Sequence, residues 1–391
     1  MRLTLSPQLA AASAILVALA ALAPRATPAR RPHYGGILRV EIGASVSSID
    51  PAIAASTPDE AAAKREIESL IYEKVNADGS LAGVAGSGPF RISEWEPGKQ
   101  LTLSANDDFS GGRPFVDTIE INMGRAASDR LTDLQLDRVD FAQIPAEDAR
   151  QAAARGIRVA VSQPDELMAL VFLPGRALTN DARLRQAIAC SINREPIVDF
   201  ILQKQGEPAG SLLPQWSSGT AFLFPALPDP VRAKELRSQI GGSPSMRLGY
   251  DSGDALAESV ANRIAVDARE AGLAVAPDAS IRANQPSDDA RLVRLQMISP
   301  HPAAALTNLL GAVQPMVGMD VALPKDADSA EQIYAAERNA LDGFRIVPVV
   351  WLPRVYGLSD RVRDWQTPVT GENWPLANVW LDTAPGNERP N

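Results

Sequence analysis

Hydrophobic and polar positions alternate through GGILRVEIG (35–43), with branched side chains at the apolar steps, and this period of two predicts a strand. A period near 3.6 follows in STPDEAAAKREIESLIYEKV (56–75), where Ile67, Leu70 and Ile71 form one apolar stripe. Its start is marked by Thr57 as N-cap, Pro58 in the first helical position, and Asp59 and Glu60 set against the helix dipole. Alternation returns in FRISEWE (90–96) and QLTLSAN (100–106), joined by a Pro97-Gly98 turn, and again in FVDTIEINM (115–123). The pattern then predicts a helix over 128–137, a strand over 139–144, a helix over 145–156 closed by Gly156, and two strands over 157–161 and 166–173.

From residue 180 helices dominate. NDARLRQAIACSIN (180–193) places Leu184, Ala187, Ile188 and Ser191 on one face, and EPIVDFILQKQG (195–206) reads as a second helix. A loop rich in Pro, Ser and Gly fills 206–230. A strand-helix-strand unit follows over 246–250, 254–272 and 273–277, and residues 279–291 are polar and loop-like. The remainder reads as a strand (291–299), a helix (329–343), a buried strand broken by Pro348 (344–352), and an irregular aromatic tail over 365–382. The sum is a mixed α/β chain without internal repeats. At 391 residues it exceeds one compact core, so two lobes are expected.

Charge and composition narrow the function. A net charge of −9 lacks the basic face that phosphate binding needs, so nucleic acid is not an expected partner. One cysteine precludes an internal disulfide, and Cys190 falls inside a helical pattern as a small buried hydrophobe. Two distant histidines, His33 and His301, argue against a zinc site, and no metal or other cofactor is expected. The apolar run LAAASAILVALAALA (9–23) behind Arg2 fits an export signal over 1–29 and falls short of the roughly 20 residues that span a bilayer. Cleavage after Ala29 is one outcome and an uncleaved anchor the other. The chain carries no nucleophile elbow, phosphate loop, zinc-protease helix or Ser/His/Asp layout, so no catalysis is expected.

Several segments, in order, resemble the family 5 extracellular solute-binding proteins, the receptors of peptide and nickel ABC importers. Ile49-Asp50-Pro51-Ala52 resembles that family's Leu-Asp-Pro-Ala step, and IESLIYEKVNADGSL (67–81) its I-Y-E helix and Asp-Gly turn. GSGPF (86–90) resembles its G-T-G-P-F hairpin entry, with Ser87 for threonine. LQLDRVD (134–140) fits an L-x-x-G-x-V-D pattern, with Asp137 for glycine, and LTNDARLRQAIACSINREPIV (178–198) is the most specific match. IVPVVWLPRVYGLSDRV (346–362) fits a later part.

The resemblance implies a type II, cluster C-like periplasmic binding fold: two lobes joined by two hinge crossings. Lobe I is expected over 33–195 plus 345–391 and lobe II, reduced, over 196–344, with crossings near Arg194 and Arg345. The family carries a small second domain between the I-Y-E helix and the hairpin. Here only a short link joins them, so that domain is expected to be absent.

The resemblance also implies a solute cleft between the lobes, lined by the loop of Ser45 and Ser48 and by the loop of Ser299 and His301. Trp216 and Trp365 are offered as stacking groups, or as core. Trp351 and Trp374 are expected in the core, and Arg354 on the surface. The peptide-binding members place an aspartate in the 295–306 region to meet the peptide amine; this sequence has none there. Two readings stay open. One is a monomeric periplasmic receptor that hands a small, peptide-like solute to an inner-membrane ABC permease. The other is a paralogue that no longer binds solute and serves as a sensory or interaction module. The absent domain and aspartate favour the second. The hinge layout, cleft-facing loops and export signal favour the first, to which the balance falls.

Overall fold

The computed structural model describes residues 31–72, 87–219, 223, 227–280, 287–318, 329–370 and 374–382. The export segment therefore lies outside the described residues, as do the Asp78-Gly79 turn and residues 281–286 of the polar loop 279–291. The residues from Tyr34 onwards form one compact unit.

The first part of the chain runs β1 (Ile37–Glu41), α1 (Pro58–Ile71), β2 (Phe90–Glu96), β3 (Gln100–Ala105), β4 (Thr118–Asn122), α2 (Ala127–Gln135) and β5 (Phe141–Ile144). After α3 (Ala149–Ala154) comes β6 (Arg158–Phe172), then α4 (Ala182–Ser191), the short β7 (Glu207–Pro208) and α5 (Pro230–Ser238). The strand-helix-strand unit is β8 (Ser245–Gly249), α6 (Ala255–Glu270) and β9 (Ala274–Asp278). β10 (Ala290–Gln296), α7 (Pro302–Val317), α8 (Ala330–Leu341) and β11 (Ile346–Leu358) complete the main body, and β12 (Val362–Arg363) pairs with β13 (Trp380–Leu381).

One sheet carries the main body, in the order β2-β3-β4-β1-β5-β11-β6-β10-β8-β9, with β7 on the edge of β11. β6 and β11 form an antiparallel ribbon along their full lengths, from Ile346 opposite Val171 to Leu358 opposite Arg158. β5 joins the ribbon at Val355–Leu358, whereas β10 joins it at Glu166–Phe172. The two halves of the sheet thus attach at different ends of the same ribbon.

Prolines shaped the reading of this ribbon, and the structure corrects it. Residues 157–161 and 166–173 are one strand that passes through Pro164, and Pro348 does not end β11. The ladder shifts register between Pro348 and Val350 and on both sides of Pro353. A proline has no N–H to give, so it fits where the ladder slips. The first slip is pinned by Arg194, 1 % exposed, whose Nε and Nη2 donate to the Pro348 carbonyl at 3.0 and 2.7 Å.

Other boundaries also moved. Residues 195–206 are not a regular helix: one turn over Arg194–Pro196 passes into a π-type turn over Ile197–Ile201. α5 and α7 went unread. Both open with proline in the first turn, and α7 also contains Pro315, so composition masked them.

Among the described residues, three apolar clusters form the core. Leu38, Ile67, Leu70, Phe90 and Ile119 belong to the one under the first half of the sheet. The other two pack on the ribbon: one spans both halves, with Leu131 and Leu134 of α2, Met168 and Leu170 of β6 and Ile264 of α6, and the other holds Leu167, Ala169, Leu309 and Trp351. Alternate residues of β6 enter different clusters, as a strand covered on both faces requires. Trp351 and Trp374 are buried as expected.

The end of α1 and the start of the hairpin touch directly. The Gly88 N–H donates to the Ile71 carbonyl at 2.9 Å, and Asn106 Nδ2 donates to the Gly88 carbonyl at 2.8 Å. A Cβ on Gly88 would stand 2.5 Å from the Ile71 carbonyl carbon. Backbone on both sides leaves little room to relax. Gly88→Ala is expected to lower stability by about 1–3 kcal/mol in urea unfolding, the usual range for overpacking. Unchanged stability would mean that the hairpin does not rest on the helix.

Candidate functional site

A cleft of about 750 Å³ opens where the two halves of the sheet diverge from the ribbon. Gly43, Ala44, Asp59, Arg125, Arg130 and Glu147 line it from the first half. Gly253, Asp254, Ser259, Arg294 and Gln296 line it from the second, and Glu166, Leu352, Pro353 and Arg354 form its floor on the ribbon. The loop after β1 is held at the rim by the start of α1. Glu60 accepts from the Ser47 N–H at 2.8 Å, Ser47 Oγ at 2.5 Å and the Ser56 N–H at 2.8 Å. These donors pull its carboxyl below the usual range. Lys64 Nζ donates to the carbonyls of Asp50 and Ile53. Two α1 side chains thus hold the loop: Lys64 at the Asp50-Pro51 step and Glu60 at Ser47 and Ser56 on either side of it.

Two arginines organise the floor. Arg354 bonds to Glu66 of α1 and pairs with Asp165 of β6 at 3.2 Å, and Gln143 of β5 donates to Glu66 at 2.6 Å. It is a largely enclosed residue, its side chain 12% exposed, at the centre of an ion network, which corrects the expectation of a surface arginine. Burial pulls its pKa down, but Asp165 and Glu66 outweigh that and hold the guanidinium firmly charged. Arg294 of β10 lies 3.6 Å from Glu166 and 3.5 Å from Asp254, the N-cap of α6. Burial opposes its charge too, and Glu166, Asp254, Asp59 and Glu147 together outweigh it. Burial raises the pKa of Glu166 and of Glu147, with Arg294 working against the rise in each. Arg65 Nη2 reaches across from α1 to Gln296 Oε1 at 2.5 Å, so the halves are also in direct contact.

None of the six residues expected to meet solute is among those lining this cleft. Ser45 is exposed and lies beside Gly124, and Ser48 Oγ is taken up by the Asp50 N–H at 3.2 Å. Trp216, Ser299 and His301 do come together, but elsewhere. Trp216 Nε1 donates to the Pro164 carbonyl at 2.9 Å and its ring packs on the cluster of Leu167 and Leu309. The neighbouring Ser217 Oγ reaches Pro300, and Ser299 Oγ accepts from the N–H of exposed His301 at 3.2 Å. Trp365 packs tilted against Phe141 and edge-on to Tyr356, with ring centroids 4.8 and 5.1 Å away. The charged residues that do line the cleft were passed over. Asp59 had been assigned only to the dipole of α1, and Arg294 sits in an alternating strand where any polar residue is expected.

The sequence model of the bacterial extracellular solute-binding proteins, family 5, matches residues 44–310. The chain belongs to that family. Among family 5 relatives, the oligopeptide-binding protein AppA of Bacillus subtilis is 31% identical over 125 residues, 32% of this chain and 23% of that protein. The probable D,D-dipeptide-binding periplasmic protein DdpA of Escherichia coli is 30% identical over 196 residues, 48% of this chain and 37% of that one. The aligned parts thus cover well under half of these family 5 proteins. The fold is also that of the family. The structure of Bacillus subtilis AppA with a nonapeptide superposes with a TM-score of 0.70 at 16% identity, over 90% of this chain and 100% of that one. Helicobacter pylori DppA with the peptide STSA gives 0.72 at 14%, over 90% and 99%.

The Arg294 cluster yields a pH test. Without the guanidinium, Glu166 and Glu147 face the other carboxylates with their raised pKa values pushed further up. A group with a raised folded-state pKa adds stability below its unfolded pKa and loses it as pH rises through the folded value. Arg294→Gln is therefore expected to be destabilised at pH 8, with the deficit against the parent shrinking towards pH 5. A deficit independent of pH would show that the carboxylates are not coupled to Arg294.

Proposed function

We propose that this chain is the substrate-binding component of an ABC importer, taking a small, peptide-like solute into the charged cleft and passing it to an inner-membrane permease. It does so as a periplasmic monomer and performs no covalent chemistry. The observation that carries this is the composition of the cleft: both halves of the sheet line it, and the ribbon that joins them is its floor. Closure of one half on the other about β6 and β11 would enclose a ligand. The two lobes of this reading are 33–195 with 345–391, and a reduced 196–344. The direct contact of Gly88 with Ile71 supports an absent second domain. Contacts to the solute fall to the charged residues and to the backbone of Gly43 and Gly253.

Family membership and the peptide complexes of fold relatives support the solute class. No helix among the described residues is long and apolar enough to cross a membrane. The test is thermal unfolding of the chain, freed of residues 1–29, against di- to pentapeptides, amino acids and metal chelates. Binding to the native state alone raises Tm by mass action, by about 2.7 kcal/mol of stability at a hundredfold excess over Kd. A concentration-dependent rise for peptides is expected. A flat response from folded protein across all three classes would overturn the receptor reading in favour of an interaction module.

A further inference from the structure

Arg130 is the one cleft arginine whose guanidinium takes part in no hydrogen bond or ion pair among the described residues. Arg125 is held by Glu41 and Asp133, Arg294 by Glu166 and Asp254, and Arg354 by Glu66 and Asp165. Arg130 is only 8% exposed, its Nε is buried without a partner, and its side chain lines the cleft. Glu41 and Asp148 attract it from beyond ion-pair contact, and burial pulls its pKa down. A buried guanidinium held so loosely is costly to keep.

Its surroundings are built for an anion. Arg130 belongs to the first turns of α2, a nine-residue helix whose N-cap, Ala126, has no side chain to cap it. The amides of Asp129 and Arg130 turn back to the Ala126 carbonyl, whereas those of Ala127 and Ser128 have no acceptor among the described residues. Free first-turn amides and the positive end of the helix dipole favour negative charge there. Gly43 lets the guanidinium lie against the chain, because a Cβ at that position would come 2.5 Å from Arg130 Nη1. Three carboxylates oppose the site: buried Glu41 and half-buried Asp148, which act on Arg130 itself, and exposed Asp129 in the same turn.

We propose that Arg130 and the first-turn amides of α2 anchor a free carboxylate of the solute. This inference rests on the reading of the cleft as the solute site and adds its polarity: the C-terminal end of a peptide-like ligand lies at α2. A planar guanidinium and a carboxylate make short, charge-assisted hydrogen bonds, and the ligand supplies the partner that the fold withholds.

The test is isothermal titration of the chain freed of residues 1–29. The probes are di- to pentapeptides with free C-termini, the same peptides as C-terminal amides, and separately acetate, succinate and inorganic phosphate. Free acids are expected to bind at least tenfold more tightly than their amides. Arg130→Met keeps the side-chain stem without the charge. It should unfold, ligand-free, at the parent's temperature or above, lose at least tenfold in affinity for the free acids, and no longer distinguish acid from amide. Gly43→Ala, which crowds only the end of a flexible side chain, should fold normally and weaken the same ligands.

Equal binding of acids and amides by the parent would overturn the carboxylate anchor and leave the receptor reading standing. So would a ligand-free Arg130→Met that melts several degrees lower, which would make Arg130 a structural residue. Phosphate binding stronger than any peptide's would overturn the carboxylate in favour of an inorganic anion. Failure of every probe to bind would overturn this anchor and the receptor reading together.

Discussion

Arg354 is the constraint on which the rest of the structure turns. It stands on β11, bonds to Glu66 of α1, pairs with Asp165 of β6, and through Glu66 is linked to Gln143 of β5. Both carboxylates are fully buried. A buried carboxylate without its cation costs several kcal/mol, so the four elements are stable only in the arrangement that brings these groups together. That arrangement places α1 over the point where the first half of the sheet leaves the ribbon. It also fixes Leu352 to Val355, the segment that floors the cleft.

The cleft follows from how strands attach. β5 holds the ribbon at one end and β10 at the other, on opposite edges, so the two halves diverge between them. Polar groups that meet at this divergence come from distant parts of the sequence: Asp59 from the start of α1, Arg294 from β10, Asp254 from the cap of α6. Arg294 is balanced by Glu166 and Asp254, whereas Arg130 makes no ion pair among the described residues. A site of this kind suits a ligand that brings charge of its own.

Much of the fold was legible in the residues. The stripe of Ile67, Leu70 and Ile71 marked the buried face of α1, and all three are buried. Thr57 caps that helix, accepting from the Glu60 N–H at 3.1 Å. The parallel unit of β8, α6 and β9 was visible from its change of period. Proline caused most of the misreadings, because its meaning depends on what lies opposite: Pro164 and Pro348 read as breaks and sit inside paired strands. The cleft was much less legible. Ion partners such as Arg354 and Glu66, or Arg294 and Asp254, are joined only by tertiary pairing, and an arginine in an alternating strand looks the same whether it meets water or a carboxylate. Serine and tryptophan positions were singled out by loop and residue type, and the structure gives several of them local work: Ser48 closes a turn, Trp216 ties a loop to β6, and Trp365 packs on Phe141.

The most direct measurement of this account is a double-mutant cycle on Arg354 and Glu66, read by urea unfolding at pH 7. Arg354→Met and Glu66→Gln each separate a buried charge from its partner, and each single change is expected to cost about 3–5 kcal/mol. The double variant should cost clearly less than the two together, with a coupling energy of about 1.5 kcal/mol or more. Additive losses would contradict the account, because α1 and the ribbon would then be held together by something other than this pair.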